Sequence, residues 1–297
     1  MATGGESEAP LAMPTRILQW NVRHSIDLAM APMLRDPEIT KIAIQEPWIN
    51  GYLSTTHYPA ETARAFMLAW PKVPADQHPR VCTYVRRNIV ESDIVYSSRD
   101  VLTNYIRANK ESPRIYIHNV YNEPANPEVP GIRALQRALQ EAERYAGPKE
   151  HIIVGDFNIH DPLWTDPTST VRHTPREAAE LKHMIEQIPL AVIMPPGLVT
   201  RPAEPGVEGT GSTIDLCLTS WDLRDQIRHI STQHTRQRHR RVPVRGGPTN
   251  GSTRLDGLPG FRLVEGGNMG REGECSSEPG GLSGGPTAGA AQRHVYG

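Results

Sequence analysis

Long apolar runs, closely spaced cysteines and a surplus of either charge are all missing from this sequence of 297 residues. No stretch approaches the roughly 20 apolar residues that cross a bilayer. The opening MATGGESEAPLAMPTR has no charged segment followed by an apolar run, as a secretory signal would. The three cysteines, Cys82, Cys217 and Cys275, are odd in number and far apart. That excludes a disulfide framework and argues against a zinc site, leaving a reducing compartment as the default. The net charge of −1 gives no global basic field, so contact with nucleic acid would need a local patch. A soluble intracellular protein is expected, without a membrane and without any evident need for a protein partner.

What is present falls into three zones. Residues 1–13 are small and polar and read as a disordered leader. Residues 14–235 alternate short apolar runs with amphipathic stretches. Segments 16–22, 41–45, 81–85, 114–121, 151–157 and 213–218 have the short, Ile/Val/Tyr-rich pattern of strands. Residues 131–146 place Leu135, Ala138, Leu139 and Ala142 on one helical face. Residues 174–188 open with Thr174, Pro175 and Glu177, the signature of an N-cap with a capping box. Residues 236–297 are rich in Gly, Pro, Arg and Ser and are expected to be a disordered tail that supplies no closing strand. Strands interleaved with helices imply a mixed α/β domain.

Acidic or amide residues recur directly after apolar runs: Asn21, Glu46, Asp156, Asn158 and Asp215, with Tyr121 and Asn122 placed in the same manner. The end of a buried strand is a rigid support facing the mouth of a sheet, where open α/β folds bind ligands. Hard oxygen donors there suit Mg²⁺ or Mn²⁺. Phosphodiester hydrolysis needs an activated water and charge on the phosphoryl oxygens. A carboxylate supplies the first and a bound cation the second.

The motifs QWN (19–21), QEPW (45–48), VYN (120–122), GDFN (155–158) and TIDL (213–216) occur in the order found in the endonuclease/exonuclease/phosphatase superfamily. The sequence resembles most the endonuclease domain of fungal LINE-type (non-LTR) retrotransposons, over residues 16–219. The resemblance implies a four-layered α/β sandwich, two packed β-sheets flanked by helices. It also implies a Mg²⁺- or Mn²⁺-dependent enzyme nicking double-stranded DNA, which would place it in the nucleus. By the same resemblance Glu46 is a metal ligand helped by Asn21, and Asp156 is the catalytic aspartate. Tyr121, Asn158 and Asp215 complete the catalytic set, while Asn122 and Trp164 join Tyr121 and Asn158 in binding phosphate or DNA.

One departure bears on activity. The family closes with Ser-Asp-His about 20 residues after the TIDL strand. Here the segment reads HISTQHTRQRHRRVPV, and no aspartate occurs between Asp225 and Asp256. Impaired hydrolysis is expected. Two other readings stand beside it: a catalytically dead relic that binds nucleic acid, and a phosphatase of small phosphoesters.

Overall fold

The apolar runs of the sequence are strands, and their alternation decides which residues meet between two sheets. The computed structural model describes residues 15–25, 37–52, 54–87, 91–107, 112–124, 126–167, 169, 174–201, 211–234 and 259–265. The leader expected at 1–13 and most of the tail lie outside these residues. Strands are β1 (Arg16–Asn21), β2 (Ile39–Gln45), β3 (Phe66–Ala69), β4 (Val81–Arg86), β5 (Glu91–Ser97) and β6 (Val101–Arg107). They continue as β7 (Arg114–Tyr121), β8 (Lys149–Asp156), β9 (Leu190–Val192), β10 (Asp215–Ser220), β11 (Ile227–His234) and β12 (Pro259–Glu265). The helices are α1 (Ala60–Ala65), α2 (Pro130–Glu143), α3 (Pro175–Gln187) and α4 (Trp221–Arg224).

Two six-stranded sheets result, ordered β11-β12-β1-β2-β4-β3 and β5-β6-β7-β8-β10-β9. Each contains one parallel pair in its middle, β1 with β2 and β7 with β8, among antiparallel neighbours. This is the expected α/β sandwich, with α2 and α3 packed on the outer face of the second sheet through Ile132, Leu135, Leu139, Leu181 and Met184.

Period-2 alternation sorts the side chains. Ile17, Ala43, Ile117, Ile152, Val154 and Cys217 form the apolar layer between the sheets. Residues of the same parity on the same strands also face inward. Four of these, Asn21, Tyr121, Asp156 and Asp215, lie at one end of the sandwich. Strand register makes them neighbours: Tyr121 opposes Asp156 across β7–β8, and Asp215 opposes Asp156 across β8–β10. The glycine of GDFN serves this pairing. A Cβ on Gly155 would meet the Val120 carbonyl oxygen at 2.0 Å, so only glycine lets β7 and β8 approach there.

Besides elements that the sequence pattern did not show, such as β3, β9, β11, α1 and α4, three departures from sequence expectation bear on the site. First, β12 lies inside the segment expected to be a disordered tail, and its backbone pairs with both β1 and β11. The alternating core of PGFRLVE is only a few residues long, and the Gly/Pro-rich composition around it conceals the strand. The closing strand expected to be missing is therefore present beside β1. Second, Thr174 is the N-cap of α3 but makes no side-chain cap bond. Its hydroxyl accepts from the His160 N–H at 3.0 Å, pinning the loop after β8. Third, β5 and β6 escaped the sequence reading because their polar residues break the apolar pattern; β5 is largely half-buried or exposed.

Between the sheets sits a cation with no partner to balance it. Lys41, on the inward face of β2, is fully buried, and its Nζ has no hydrogen-bond partner among the described residues. Burial lowers its pKa to about 7. The unfolded chain binds this proton up to about pH 10, so the penalty on folding is full below pH 7 and is relieved as pH rises from about 7 to 10. Lys41→Met is therefore expected to stabilise the fold by on the order of 4 kcal/mol at pH 6 and by almost nothing of ionic origin above pH 10. Urea denaturation across that range would test it; a gain independent of pH would refute the ionic origin.

Candidate active site

Six of the eight residues picked from the sequence line a single cavity of about 190 Å³ at the strand ends: Asn21, Glu46, Tyr121, Asp156, Asn158 and Asp215. Arg23, Pro124, Arg201 and Ile214 complete its lining. Backbone strain gathers here. Arg23, Glu46 and Asn158 have φ of +47°, +47° and +50°, a left-handed conformation that asparagine tolerates and that is costly for Arg23 and Glu46. The turn at Glu46 is held by its N–H to the Arg80 carbonyl, 2.8 Å, and by the His24 N–H to its own carbonyl, 2.8 Å. Such turns aim the side chain of Glu46 across the cavity, where the Tyr121 hydroxyl donates to it at 3.0 Å.

Asp156 is fixed from both sides. Asn21 Nδ2 donates to its Oδ2 at 2.9 Å, and the Asn158 N–H to its Oδ1 at 3.0 Å. Asn21 Oδ1 is itself held by the Arg23 N–H at 2.9 Å. Asn158 Nδ2 donates to the Asn122 carbonyl at 2.9 Å, which locks the GDFN turn onto the end of β7. The Tyr121 ring lies 4.9 Å beneath the Arg80 guanidinium, itself bonded to Asp100 at 2.6 Å and Glu123 at 3.0 Å.

The electrostatics follow from burial. Desolvation, then the adjacent Asp215, pushes the Asp156 carboxyl well above its usual range. Desolvation also raises Asp215 to about 6, against hydrogen bonds from Gln19 and Thr200 that favour its anion. Burial and the neighbouring Glu46 raise the Tyr121 phenol, which therefore stays a proton donor. Asp156 and Asp215 thus form a buried pair whose surroundings resist their joint ionisation.

A hard divalent cation fits this donor chemistry. Among the described residues no three His, Cys, Asp or Glu side chains converge into a ready-made cage. Mg²⁺, however, is commonly held by one or two carboxylates with waters and substrate oxygens filling the rest. Glu46 is the best-placed ligand, because it is partly exposed and aims into the cavity from its strained turn.

Behind Asp215 runs a buried chain of amides that sequence reading missed. Asn119 Nδ2 donates to the carbonyls of Ile44 and Cys82, at 3.0 and 2.8 Å, which turns its oxygen outward. That oxygen accepts from Gln45 Nε2 at 2.5 Å, and Gln45 Oε1 accepts from Gln19 Nε2 at 2.6 Å. Gln19 Nε2 also donates to Asp215 Oδ1 at 2.7 Å. The two backbone carbonyls dictate every orientation in the series, so an N–H is bound to end on Asp215. The available signal was that Gln19 and Gln45 open the motifs QWN and QEPW, and that Asn119 shares parity with Tyr121 on β7. Arg201, on an isolated bridge to Ser212, also escaped, for want of any motif around it.

Two expectations are corrected. Trp164, expected to bind DNA, is fully buried, its indole N–H donating to the Ile159 carbonyl at 3.1 Å. The ring packs in the core beneath α2 and α3. Asn122, expected at the phosphate, is buried as well. It donates to the Phe157 carbonyl at 3.1 Å and accepts from the Gly131 N–H at 3.2 Å, latching α2 to the end of β7. Both satisfy local backbone groups, which leaves them nothing to offer a ligand.

The comparisons with known proteins agree with this architecture. Residues 115–242 match the model of a family described as endonuclease-reverse transcriptase. Among solved structures, the endonuclease domain of TRAS1, a telomere-specific non-LTR retrotransposon, is 17% identical with a TM-score of 0.58, covering 85% of this chain and 98% of that one. The AP endonuclease LMAP from Leishmania major is 13% identical with a TM-score of 0.63, covering 85% and 88%. The 3'-5' exonuclease NExo from Neisseria meningitidis is 14% identical with a TM-score of 0.59, covering 85% and 100%. No curated protein sequence matches the chain. The chain therefore has the fold that these endonucleases and this exonuclease share. Over residues 115–242 it is also similar to the endonuclease-reverse transcriptase family, in keeping with the resemblance its motifs carry.

The amide chain yields an expectation for stability. Gln45→Met leaves Asn119 Oδ1 and a Gln19 N–H unpaired in the interior, a cost of about 1–3 kcal/mol for each buried group. Denaturant titration should show a loss on the order of 2–4 kcal/mol. A loss below about 0.5 kcal/mol, the scale of a neutral surface change, would mean the chain contributes little.

Proposed function

We propose that the protein is a divalent-cation-dependent nuclease that hydrolyses phosphodiester bonds in double-stranded DNA. The observation that carries this reading is the convergence of Asn21, Glu46, Tyr121, Asp156, Asn158 and Asp215 on one cavity at the ends of the paired strands.

In this reading Glu46, helped by Asn21, holds Mg²⁺ or Mn²⁺. The cation, when bound, supplies positive charge to the phosphoryl oxygens. The remaining work belongs to the chain. Asp156, fixed by Asn21 and the Asn158 N–H, orients the attacking water and takes its proton; its raised pKa makes it a more willing base than an exposed aspartate. The Tyr121 hydroxyl, now on Glu46, can turn its proton to a phosphate oxygen. Arg23 and Arg201 add positive charge on the cavity wall, and both favour the Asp215 anion. Asp215 in turn lies beside Asp156 and limits how far it moves.

The place where the family carries Ser-Asp-His falls within 229–244, of which the described residues reach only His234, at the end of β11. Since no aspartate stands between Asp225 and Asp256, a His held by an adjacent Asp has no counterpart in that stretch. Hydrolysis slower than in intact relatives follows from this. The same absence favours the second reading, a relic that binds nucleic acid without cutting it. The small-phosphoester reading has no comparable support, since the family matched and the neighbours named are nucleases.

Plasmid nicking with Mg²⁺, beside a panel of small phosphoesters, separates the three. Asp156→Asn should lower nicking by at least roughly 100-fold, the scale of general-base catalysis. Equal rates for variant and parent would remove Asp156 from the mechanism. Glu46→Gln should move half-maximal Mg²⁺ upward, since one charge leaves the ligand set.

The carboxyl pair adds a pH signature. Asp156 and Asp215 have folded pKa values above their unfolded ones, so ionising them costs stability as pH rises above about 4, with Asp215 ionising through about 6. A bound cation offsets that cost only where they are ionised. Mg²⁺ should therefore raise the melting temperature more at pH 7.5 than at pH 5. An equal rise at both, or none, would count against a cation held close enough to this pair to offset its charge.

A further inference from the structure

A second groove, of about 440 Å³, opens between the loop carrying Lys72, the β5–β6 turn and the first turns of α2. Lys72, Arg99, Arg133 and Arg137 line it, and all four are exposed. Among the described residues none of the four is in an ion pair. Of the acids on the lining, Asp100 is bonded to Arg80 at 2.6 Å, which leaves Glu128 against four cations.

The arrangement is unfavourable for α2 on its own account. Arg133 and Arg137 are four apart on one face, where like charges repel. The helix has no acidic residue in its first turn, where one would complement the dipole. Its positive end and two arginines therefore face the same space. In a chain of net charge −1 such a local excess has the character of an anion site.

Its position says which anion. One side chain, Arg80, forms the wall between this groove and the catalytic cavity: it stacks on Tyr121, which lines the cavity, and bonds Asp100, which lines the groove. The Tyr121 N–H donates to the Asp100 carbonyl at 2.9 Å, tying the two walls together. Along one DNA strand the charges advance by about 3.4 Å of helix axis each. Phosphates near the one beside Tyr121 thus lie within reach of the far side of that wall.

Resting on the nuclease reading, we propose that this groove binds backbone phosphates flanking the scissile one, so that the substrate is a polynucleotide and not a small phosphoester. The contact is electrostatic and indifferent to base sequence, as backbone contacts are.

The test is anisotropy of a short labelled DNA duplex with the full chain in EDTA, over a series of salt concentrations. Arg133→Glu with Arg137→Glu should weaken binding by roughly tenfold or more and lower the salt slope by about two, one for each phosphate that is no longer neutralised. The control is Arg144→Glu with Arg224→Glu, the same charge change at exposed positions at the opposite strand ends; it should bind like the parent at moderate salt. In nicking assays the groove variant should raise KM and leave kcat unchanged, with its melting temperature preserved. Equal weakening by both pairs would reduce the groove to bulk charge. A groove variant that binds as the parent does, or a parent that binds no duplex even at low salt, overturns the proposal. Asp156→Asn, run beside them, separates the two readings. If the parent never nicks yet the groove variant alone loses DNA, the nuclease reading fails and the groove stands; if nicking depends on Asp156 while the groove variant binds and cuts normally, the reverse holds.

Discussion

Asp156 and Asp215 are forced side by side by strand register, and the surroundings are arranged to keep both in place. Two buried carboxyls in contact resist losing their protons together, since each ionisation is opposed by desolvation and by the other charge. The chain answers with amides. Asn21 and the Asn158 N–H grip Asp156, Gln19 and Thr200 favour the anion of Asp215, and left-handed turns at Glu46 and Asn158 keep the rim from relaxing. In the reading proposed above, a hard cation would remove an opposition already built into the resting fold.

The sandwich makes that placement cheap to build. Each sheet carries a parallel pair at its centre, so β1, β2, β7 and β8 all deliver their C-terminal ends to the same rim. An antiparallel β10 then contributes its first residue there instead of its last. Five segments distant in sequence need no long loops to reach a common cavity. Glycine at 155 lets β7 and β8 come close enough for their end residues to meet.

Much of this was legible beforehand, for a physical reason. A polar residue immediately after an apolar run stands out, and the site residues are polar because they are at strand ends. What was hidden were polar residues within runs. Gln19, Gln45 and Asn119 show no purpose in sequence until β1, β2 and the facing sheet bring them into one hydrogen-bonded series. Trp164 and Asn122 failed the opposite way: they sit beside motif residues in sequence, yet their backbone turns direct them into the core. Arg201 has no pattern to betray it, since a bridge to Ser212 and not a strand brings it to the cavity. The cations of α2 were visible as helix surface, but nothing in the sequence said they shared a groove with Lys72 and Arg99.

The pairing of β12 with β1 has a bearing on how the molecule is made. Arg16 lies opposite Val264, so one sheet joins nearly the first described residue to nearly the last. Contacts of such long sequence separation carry the largest loop-closure entropy and form late in folding. While the chain is being synthesised from its N-terminus, β1 can pair with β2 but its other edge stays open until β12 emerges. Exposed edges of this kind recruit strands from other chains. The first sheet is thus the part of the molecule exposed longest to misassembly, and β12 is the segment whose arrival ends that interval.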